Sequence, residues 1–154
     1  MKGALNIKVK LLVQEIREAF ADVPYPGDEN ISASRYDEGM SGYFSGTSQE
    51  GHAARDLRRH ASALSFFTSE AFHYYLPAFA IAVLQEPEDA DIIYDHLIYD
   101  FHASSSTRER LELFNAAQRE AMVQYFEYCL HDNIECYNRK IACAITLLKK
   151  EATL

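Results

Sequence analysis

The stretch from Phe66 to Leu84, F-F-T-S-E-A-F-H-Y-Y-L-P-A-F-A-I-A-V-L, decides the fold of this chain. From Ala71 to Leu84 every residue except His73 is apolar or aromatic. The run is shorter than the roughly 20 residues that a helix needs to cross a bilayer. A helix that is apolar on all sides is packed on several faces, so we predict a central, buried helix over residues 69–85.

Local signals mark the start of this helix and predict a bend inside it. Thr68 precedes the run and has a side chain that caps free helical amides, and Glu70 suits the positive end of the helix dipole. Pro77 has no amide to donate to the carbonyl of His73, so we expect a kink at this point. The freed carbonyl and His73 form either a small polar site or, more simply, part of a bent core helix.

Two motifs resemble those of an uncharacterised bacterial family of unknown function. Members carry E-A-F-x-Y-Y-L-P-A-F, which matches residues 70–79, and a turn of the form AF-x-x-VPYPG, which matches residues 19–27. The sequence departs from the family pattern at Ser69, where members have a proline, and in having no tryptophan after Gly46. The resemblance implies a compact, largely helical fold. It implies no activity, because the family has none assigned.

The rest of the chain also predicts helices. We expect them at 5–22, 52–64, after Pro87, and at about 107–113, 116–131 and 133–150. The last three follow capping boxes at residues 106–109, 115–118 and 132–135. Five of the six glycines lie between Gly27 and Gly51, so that segment is the least regular, with a possible short helix at 34–43. We predict an all-α fold, a compact single-domain bundle of six to eight helices over residues 1–154 around the Pro-kinked central helix.

The negative charge of the chain is concentrated in one segment. The sequence has 15 Lys and Arg against 23 Asp and Glu, a formal net charge of −8. No Lys or Arg occurs between Arg59 and Arg108, and this interval carries seven acidic residues, mostly between Glu86 and Asp100. Such a field repels nucleic acid and attracts cationic partners. We therefore expect no nucleic-acid binding and a basic protein partner.

The amino terminus and the cysteines indicate a cellular compartment. Lys8 and Lys10 interrupt the first apolar run, so we expect no signal peptide. Cys129, Cys136 and Cys143 are spaced seven apart, about 10.5 Å along a helix, too far to share a disulfide or a metal ion. We interpret them as small buried hydrophobic side chains in a reducing compartment. The sequence predicts a cytoplasmic protein without a membrane partner.

Carboxylate and imidazole pairs support an alternative function. Glu70 and His73 form a Glu-x-x-His motif of the kind that binds iron in helical bundles, where a second copy and two more glutamates are required. Partial companions at i, i+4 are Asp56 with His60 and Glu127 with His131. Because the motif occurs once, we assign no metal, no cofactor and no catalytic residue. A metal-dependent enzyme with a carboxylate-histidine site stays the alternative.

An anionic segment that also carries tyrosines predicts a protein-binding surface. The candidate partner-binding residues are Glu86, Glu88, Asp89, Asp91, Tyr94, Asp95, Tyr99 and Asp100. We predict a small, acidic, cytosolic protein-binding module, most concretely an immunity or antitoxin-type inhibitor that blocks a basic partner such as a toxin. A structural homodimer is a further alternative, and the oligomeric state is left open. Neutralisation of the segment by Arg55, Arg58 and Arg59 would remove the surface.

Overall fold

The computed structural model describes residues 2–34, 39–101, 105–130 and 135–151, and these residues form an all-helical protein. The ten α-helices in these ranges are α1 (Lys2–Phe20), α2 (Met40–Phe44), α3 (Ala54–Arg59), α4 (Ala63–Phe66), α5 (Ser69–Gln85), α6 (Pro87–Ala90), α7 (Ile93–Asp100), α8 (Ser105–Leu111), α9 (Ala116–Leu130) and α10 (Glu135–Glu151). A short 3₁₀ helix spans Asp28–Asn30, and Ser32 and Phe67 form an isolated β-bridge. The predicted all-α class is confirmed. The helices outnumber the predicted six to eight because four of them have only four to six residues.

The chain divides into two compact units. Unit 1 comprises residues 1–22 and 101–154 and contains α1, α8, α9 and α10. Unit 2 comprises residues 23–100 and contains α2 to α7. The single globular domain expected over residues 1–154 stays a prediction.

Helix α5 is the central element of unit 2, and it begins and ends at the predicted residues. The Thr68 hydroxyl accepts a hydrogen bond from the Ala71 amide at 3.0 Å, which is the predicted N-cap. Eleven of its 17 residues are buried, and α3, α6 and α7 pack against it. A helix apolar on all sides is therefore packed on several faces, as expected. Pro77 lies inside α5, and the bend predicted there stays a prediction.

Backbone pairing ties the irregular segment to the start of α5. The Thr68 hydroxyl donates to the Asn30 carbonyl at 2.8 Å, and the Thr68 amide donates to the Ile31 carbonyl at 3.1 Å. The Ala33 amide donates to the Phe66 carbonyl at 2.8 Å. These hydrogen bonds therefore pair backbone groups of the irregular segment that are not paired within a helix. Of the short helix predicted at 34–43, α2 is described, and residues 35–38 lie outside the described residues.

Unit 1 is built on the packing of α9 against α10 and of α1 against α9. Its buried apolar side chains include Leu12, Val13, Ile16, Phe20, Met122, Phe126, Ile141 and Leu148. The capping box predicted at the start of α9 is confirmed, because the Gln118 amide donates to Asn115 Oδ1 at 2.8 Å and the Asn115 amide donates to Gln118 Oε1 at 3.0 Å. Gln118 Nε2 also donates to the Ala19 carbonyl at 3.1 Å and so joins α9 to the last turn of α1.

The single helix predicted at 52–64 is wrong, because α3 ends at Arg59 and α4 begins at Ala63. At the break the His60 amide bonds the Leu57 carbonyl at 3.0 Å and the Ala61 amide bonds the Arg58 carbonyl at 3.2 Å. Bonds to the third preceding residue tighten the last turn and end a helix. Periodicity does not reveal such a break, because Leu57, Ala61 and Leu64 are buried on either side of it.

Two smaller predictions in unit 1 are also wrong. Helix α8 begins at Ser105, so Ser106 lies inside the helix and does not cap it. Cys143 is exposed although Cys129 is buried, so the three cysteines do not all serve as core side chains. The capping box at 132–135 falls largely outside the described residues, which begin again at residue 135.

No helix in the described parts of the chain combines the length and the apolar composition that crossing a bilayer requires.

Candidate protein-binding surface

The segment that follows α5 exposes most of its carboxylates. Pro87 occupies the first turn of α6, a position where its missing amide costs nothing, and the chain turns at Asp91 into α7. Besides Pro87, the exposed side chains of the segment are Glu86, Glu88, Asp91, Ile92, Asp95 and Tyr99. We call these six residues the acidic surface.

One side of α7 presents a carboxylate between two large apolar side chains. Ile92, Asp95 and Tyr99 are spaced by three and four residues and therefore lie on the same side of the helix. Helical hydrogen bonding begins at Ile92, whose carbonyl accepts from the His96 amide at 3.2 Å. Tyr99 is 68% exposed and Ile92 is 44% exposed. This side of α7 therefore offers a partner two apolar side chains and one carboxylate to contact.

The apolar side chains of α7 divide between a buried and an exposed side. Ile93 and Leu97 are buried, whereas Ile92 is exposed. Asp100 is buried, and its Oδ1 accepts a hydrogen bond from Ser65 Oγ at 3.2 Å. Residues 93, 97 and 100 share one side of a helix, which explains why Asp100 points inward. Asp100 is therefore removed from the predicted partner-binding set.

Arginines of α3 reach part of the acidic segment. Helix α3 packs against α6, and Arg55 Nε lies 3.3 Å from Asp89 Oδ1. Arg59 Nη1 lies 4.0 Å from Asp56 Oδ1 within α3 itself. Exposed ion pairs of this kind contribute little to stability. Asp89 and Tyr94 are half-buried, so Arg55 compensates a carboxylate outside the acidic surface.

The backbone of Asp91 is strained. Its φ of 43° and ψ of −109° lie in a region that side chains with a Cβ rarely adopt and that glycine adopts freely. Among the described residues other than glycine, Asp91 is the one with a positive φ. Strain of this kind persists where the surrounding structure imposes it and is enriched at functional sites. The turn into α7 therefore holds a carboxylate in a backbone conformation that favours glycine.

Replacing Asp91 by glycine is expected to raise the free energy of unfolding by about 1 kcal/mol, because relief of strain exceeds the entropy that glycine costs. Urea unfolding followed by circular dichroism measures the change. Asp91→Asn removes the charge and keeps the side-chain size, and it is expected to unfold close to the wild type. Equal stability of the glycine variant and the wild type would contradict the strain at this turn.

Unit 2 also contains a cluster of histidine and tyrosine side chains that the sequence analysis missed. The Tyr43 hydroxyl lies 3.0 Å from His52 Nδ1, and His52 Nε2 lies 2.7 Å from the Ser48 carbonyl. A carbonyl only accepts, so in the neutral imidazole Nε2 carries the proton and Nδ1 accepts from the Tyr43 hydroxyl. The Tyr43 ring also stacks on the His60 ring, with the ring centroids 4.5 Å apart. The spacing of these residues follows no helical or strand period, so periodicity gave no signal for the cluster.

The pKa shifts in this cluster favour a structural role over a catalytic one. Burial, followed by the negative charge of Asp56, raises the pKa of Tyr43. Burial lowers the pKa of His60, although Asp56 acts in the opposite direction. Both shifts favour the neutral side chains, and a phenol that keeps its proton is a weak nucleophile. We therefore interpret Tyr43, His52 and His60 as a stacked, hydrogen-bonded support for α2 and α3.

Family comparison covers both units. The model of a family of unknown function, DUF6714, matches residues 9–144. The chain belongs to this family. The DUF6714 match includes α5 and the turn at residues 23–27, on which the sequence resemblance rests, and it confirms the predicted membership of an uncharacterised family. No curated protein and no solved structure matches the chain.

The carboxylate and imidazole pairs of this DUF6714 chain do not converge on a metal site in its described residues. Glu70 is exposed and accepts a hydrogen bond from Asn30 Nδ2 at 3.4 Å, whereas His73 is half-buried. Glu127 Oε1 lies 3.8 Å from Lys149 Nζ, and residue 131 falls outside the described ranges. Within those ranges no group of three or more His, Cys, Asp or Glu side chains is arranged to hold a metal ion.

Proposed function

We propose that the acidic surface binds a basic protein and that this DUF6714 member is a cytoplasmic inhibitor of the immunity or antitoxin type. The observation that carries the proposal is the exposed side of α7, where Ile92 and Tyr99 flank Asp95. Tyrosines in the centre of an interface often supply much of the binding free energy. A carboxylate beside them selects a cationic partner and rejects an anionic one.

The charges around α7 define the kind of partner. Glu86, Glu88, Asp91 and Asp95 are all exposed acidic side chains. Opposite charges on two proteins steer them together and raise the association rate, and salt weakens this effect. A cationic cleft with an apolar floor matches this surface, because Tyr99 and Ile92 fill the floor while the carboxylates meet the basic rim. The cationic active site of a toxin is the most concrete example.

The proposal predicts that the acidic surface, and not negative charge in general, captures the partner. Immobilised wild type is expected to retain a basic protein from an extract of the source organism at low salt and to release it at high salt. Asp91→Lys with Asp95→Lys is expected to abolish retention.

Tyr99→Ala is expected to weaken the affinity of the purified pair by about 30-fold, since truncating a central interface tyrosine costs about 2 kcal/mol. Calorimetric titration of the purified pair measures this loss.

A matched control separates a specific surface from net charge. Glu109 and Glu112 are exposed carboxylates of unit 1, and Glu109→Lys with Glu112→Lys changes the net charge by the same amount as the variant of the acidic surface. This control is expected to retain the partner. Equal loss in both charge-reversal variants would reduce the effect to net charge, and retention by the variant of the acidic surface would refute the proposal.

A further inference from the structure

Helix α1 of unit 1 carries an exposed apolar pair beside an open groove. Ile7 and Leu11 are one helical turn apart and are 62% and 61% exposed. Leu11 lines a groove of about 550 Å³ between α1 and α9, together with Leu12 and Tyr128. Two exposed branched side chains at helical spacing, next to a groove, form the kind of surface that another helix covers.

Charges are separated along the same side of α1. Lys8, Glu15 and Glu18 all line the groove. Lys8 and Glu15 are seven residues apart, which is two turns or about 10.5 Å along the helix axis, and Leu11 lies between them. Along this side of α1, from its amino to its carboxyl end, the side chains therefore change from positively charged to apolar to negatively charged. Reversing the direction of a second, identical helix brings each positive end opposite a negative end.

We propose that the groove between α1 and α9 is an interface between two copies of this chain related by a two-fold axis near Leu11. Leu11 of each copy enters the groove of the other, and Lys8 of each copy lies opposite Glu15 of the other. Interfaces with two-fold symmetry use the same patch on both copies, so the patch must complement itself. The charge order along α1 meets this requirement.

Two further carboxylates line the groove: Glu18, which accepts a hydrogen bond from Gln14 Nε2 at 3.0 Å, and Glu127. Lys149 Nζ lies 3.8 Å from Glu127 Oε1, which offsets the charge of Glu127. A uniformly basic partner would place a like charge against Lys8, whereas a second copy places a carboxylate there. The residues of the proposed interface belong to unit 1 and those of the acidic surface belong to unit 2, so the two proposals are tested with separate variants.

Charge exchange across the axis tests the pairing directly. Sedimentation equilibrium of the full chain, from micromolar to millimolar concentration, is expected to show a dimer for the wild type. Lys8→Glu and Glu15→Lys are each expected to raise the dissociation constant by about tenfold or more, because each places like charges opposite one another. The variant with both changes is expected to recover the dimer, since the two charges have only exchanged places.

The apolar contact has its own variant and control. Leu11→Glu is expected to yield a monomer, whereas Leu113→Glu, which alters an exposed leucine of unit 1 that does not line the groove, is expected to stay dimeric. Circular dichroism melting curves of all the variants verify that the fold is intact. A wild type that is monomeric at every concentration, or a double variant that does not recover, overturns the proposal.

Discussion

Replacing Arg119 by methionine is expected to lower the free energy of unfolding by about 3 kcal/mol or more, because a buried guanidinium and its hydrogen bonds are lost. The side chain of Arg119 is buried in unit 1. Its Nε donates to the Phe114 carbonyl at 3.2 Å, its Nη1 donates to the Leu148 carbonyl at 3.2 Å, and its Nη2 donates to the Leu111 carbonyl. Methionine fills similar space but donates to none of the three.

These carbonyls explain why the expected loss is large. Leu111 is the last residue of α8, and Leu148 lies in the last turn of α10. The last four carbonyls of a helix have no partner within it, and they carry the negative end of the helix dipole. One guanidinium therefore satisfies the ends of two helices and a loop carbonyl together. In the methionine variant the Phe114 and Leu148 carbonyls lose this donor, whereas the Leu111 carbonyl keeps a hydrogen bond from the Phe114 amide at 3.1 Å. Buried carbonyls left without a donor cost free energy.

Urea unfolding, followed by far-UV circular dichroism, measures the loss. Arg119→Lys is expected to lose most of the same free energy, because one ammonium group cannot reproduce the planar fork of donors. Arg108→Met removes an exposed arginine of α8 and is expected to change stability by less than about 0.5 kcal/mol. Equal unfolding midpoints for the variants of Arg119 and Arg108 would show that the buried contacts are not stabilising.

Parts of the fold that depend on neighbouring residues could be predicted from the sequence. The bounds of α5 follow from one apolar run and from Thr68, whose hydroxyl reaches an amide three residues away. The start of α9 follows from Asn115 and Gln118, which bond each other's backbone. In both places the deciding interactions lie within a few residues of one another, so local pattern is enough.

Contacts between distant residues account for what the sequence did not reveal. Arg119 is a charged residue, for which exposure is the default expectation, yet it bonds a carbonyl 29 residues away. Tyr43, His52 and His60 meet across a turn, and no period marks them. Such contacts depend on how helices pack against one another, and the spacing of residues within one segment does not predict that packing.

The repeated Ile-Tyr-Asp motif of α7 shows how a local pattern can mislead. Asp95 and Asp100 occupy equivalent places in the repeat, but five residues turn a helix by about 140°. One carboxylate therefore faces solvent while the other is buried against Ser65. Composition located the acidic segment, but helical geometry decides which of its carboxylates a partner can reach.

Helix α5 positions the two helices that carry the acidic surface. Helix α5 ends at Gln85, two residues before α6 begins, and both α6 and α7 pack against α5. A binding surface on rigid elements keeps its side chains in place for a partner. What anchors α5 in unit 2 therefore also positions the proposed surface.

Tyr75 is the polar anchor of α5. Its side chain is fully buried, and its hydroxyl lies 2.9 Å from the Phe44 carbonyl and 3.0 Å from the Thr47 carbonyl. Thr47 Oγ1 also lies 3.0 Å from it. Tyr75→Phe is expected to lower the free energy of unfolding at neutral pH by about 1–2 kcal/mol, since buried acceptors lose their donor. The glycine-rich segment that carries Phe44 and Thr47 loses its link to α5 in this variant.

The same hydroxyl predicts a loss of stability in alkali. Burial raises the pKa of Tyr75 to about 12, against a smaller opposing effect of the hydrogen bond between Tyr75 and Thr47. The folded pKa is above the unfolded value, so the contribution is fully present below pH about 10 and is lost as pH rises from there to about 12. A shift of this size corresponds to on the order of 2–3 kcal/mol.

A comparison of phenylalanine variants isolates this contribution. Urea unfolding between neutral pH and pH about 12 is expected to show the stability difference between wild type and Tyr75→Phe narrowing above pH about 10. Tyr99→Phe is the matched control, because it removes a tyrosine hydroxyl from an exposed side chain. Its stability is expected to follow that of the wild type at every pH. If the difference in the free energy of unfolding between Tyr75→Phe and wild type stays constant up to pH about 12, burial does not raise the pKa of Tyr75.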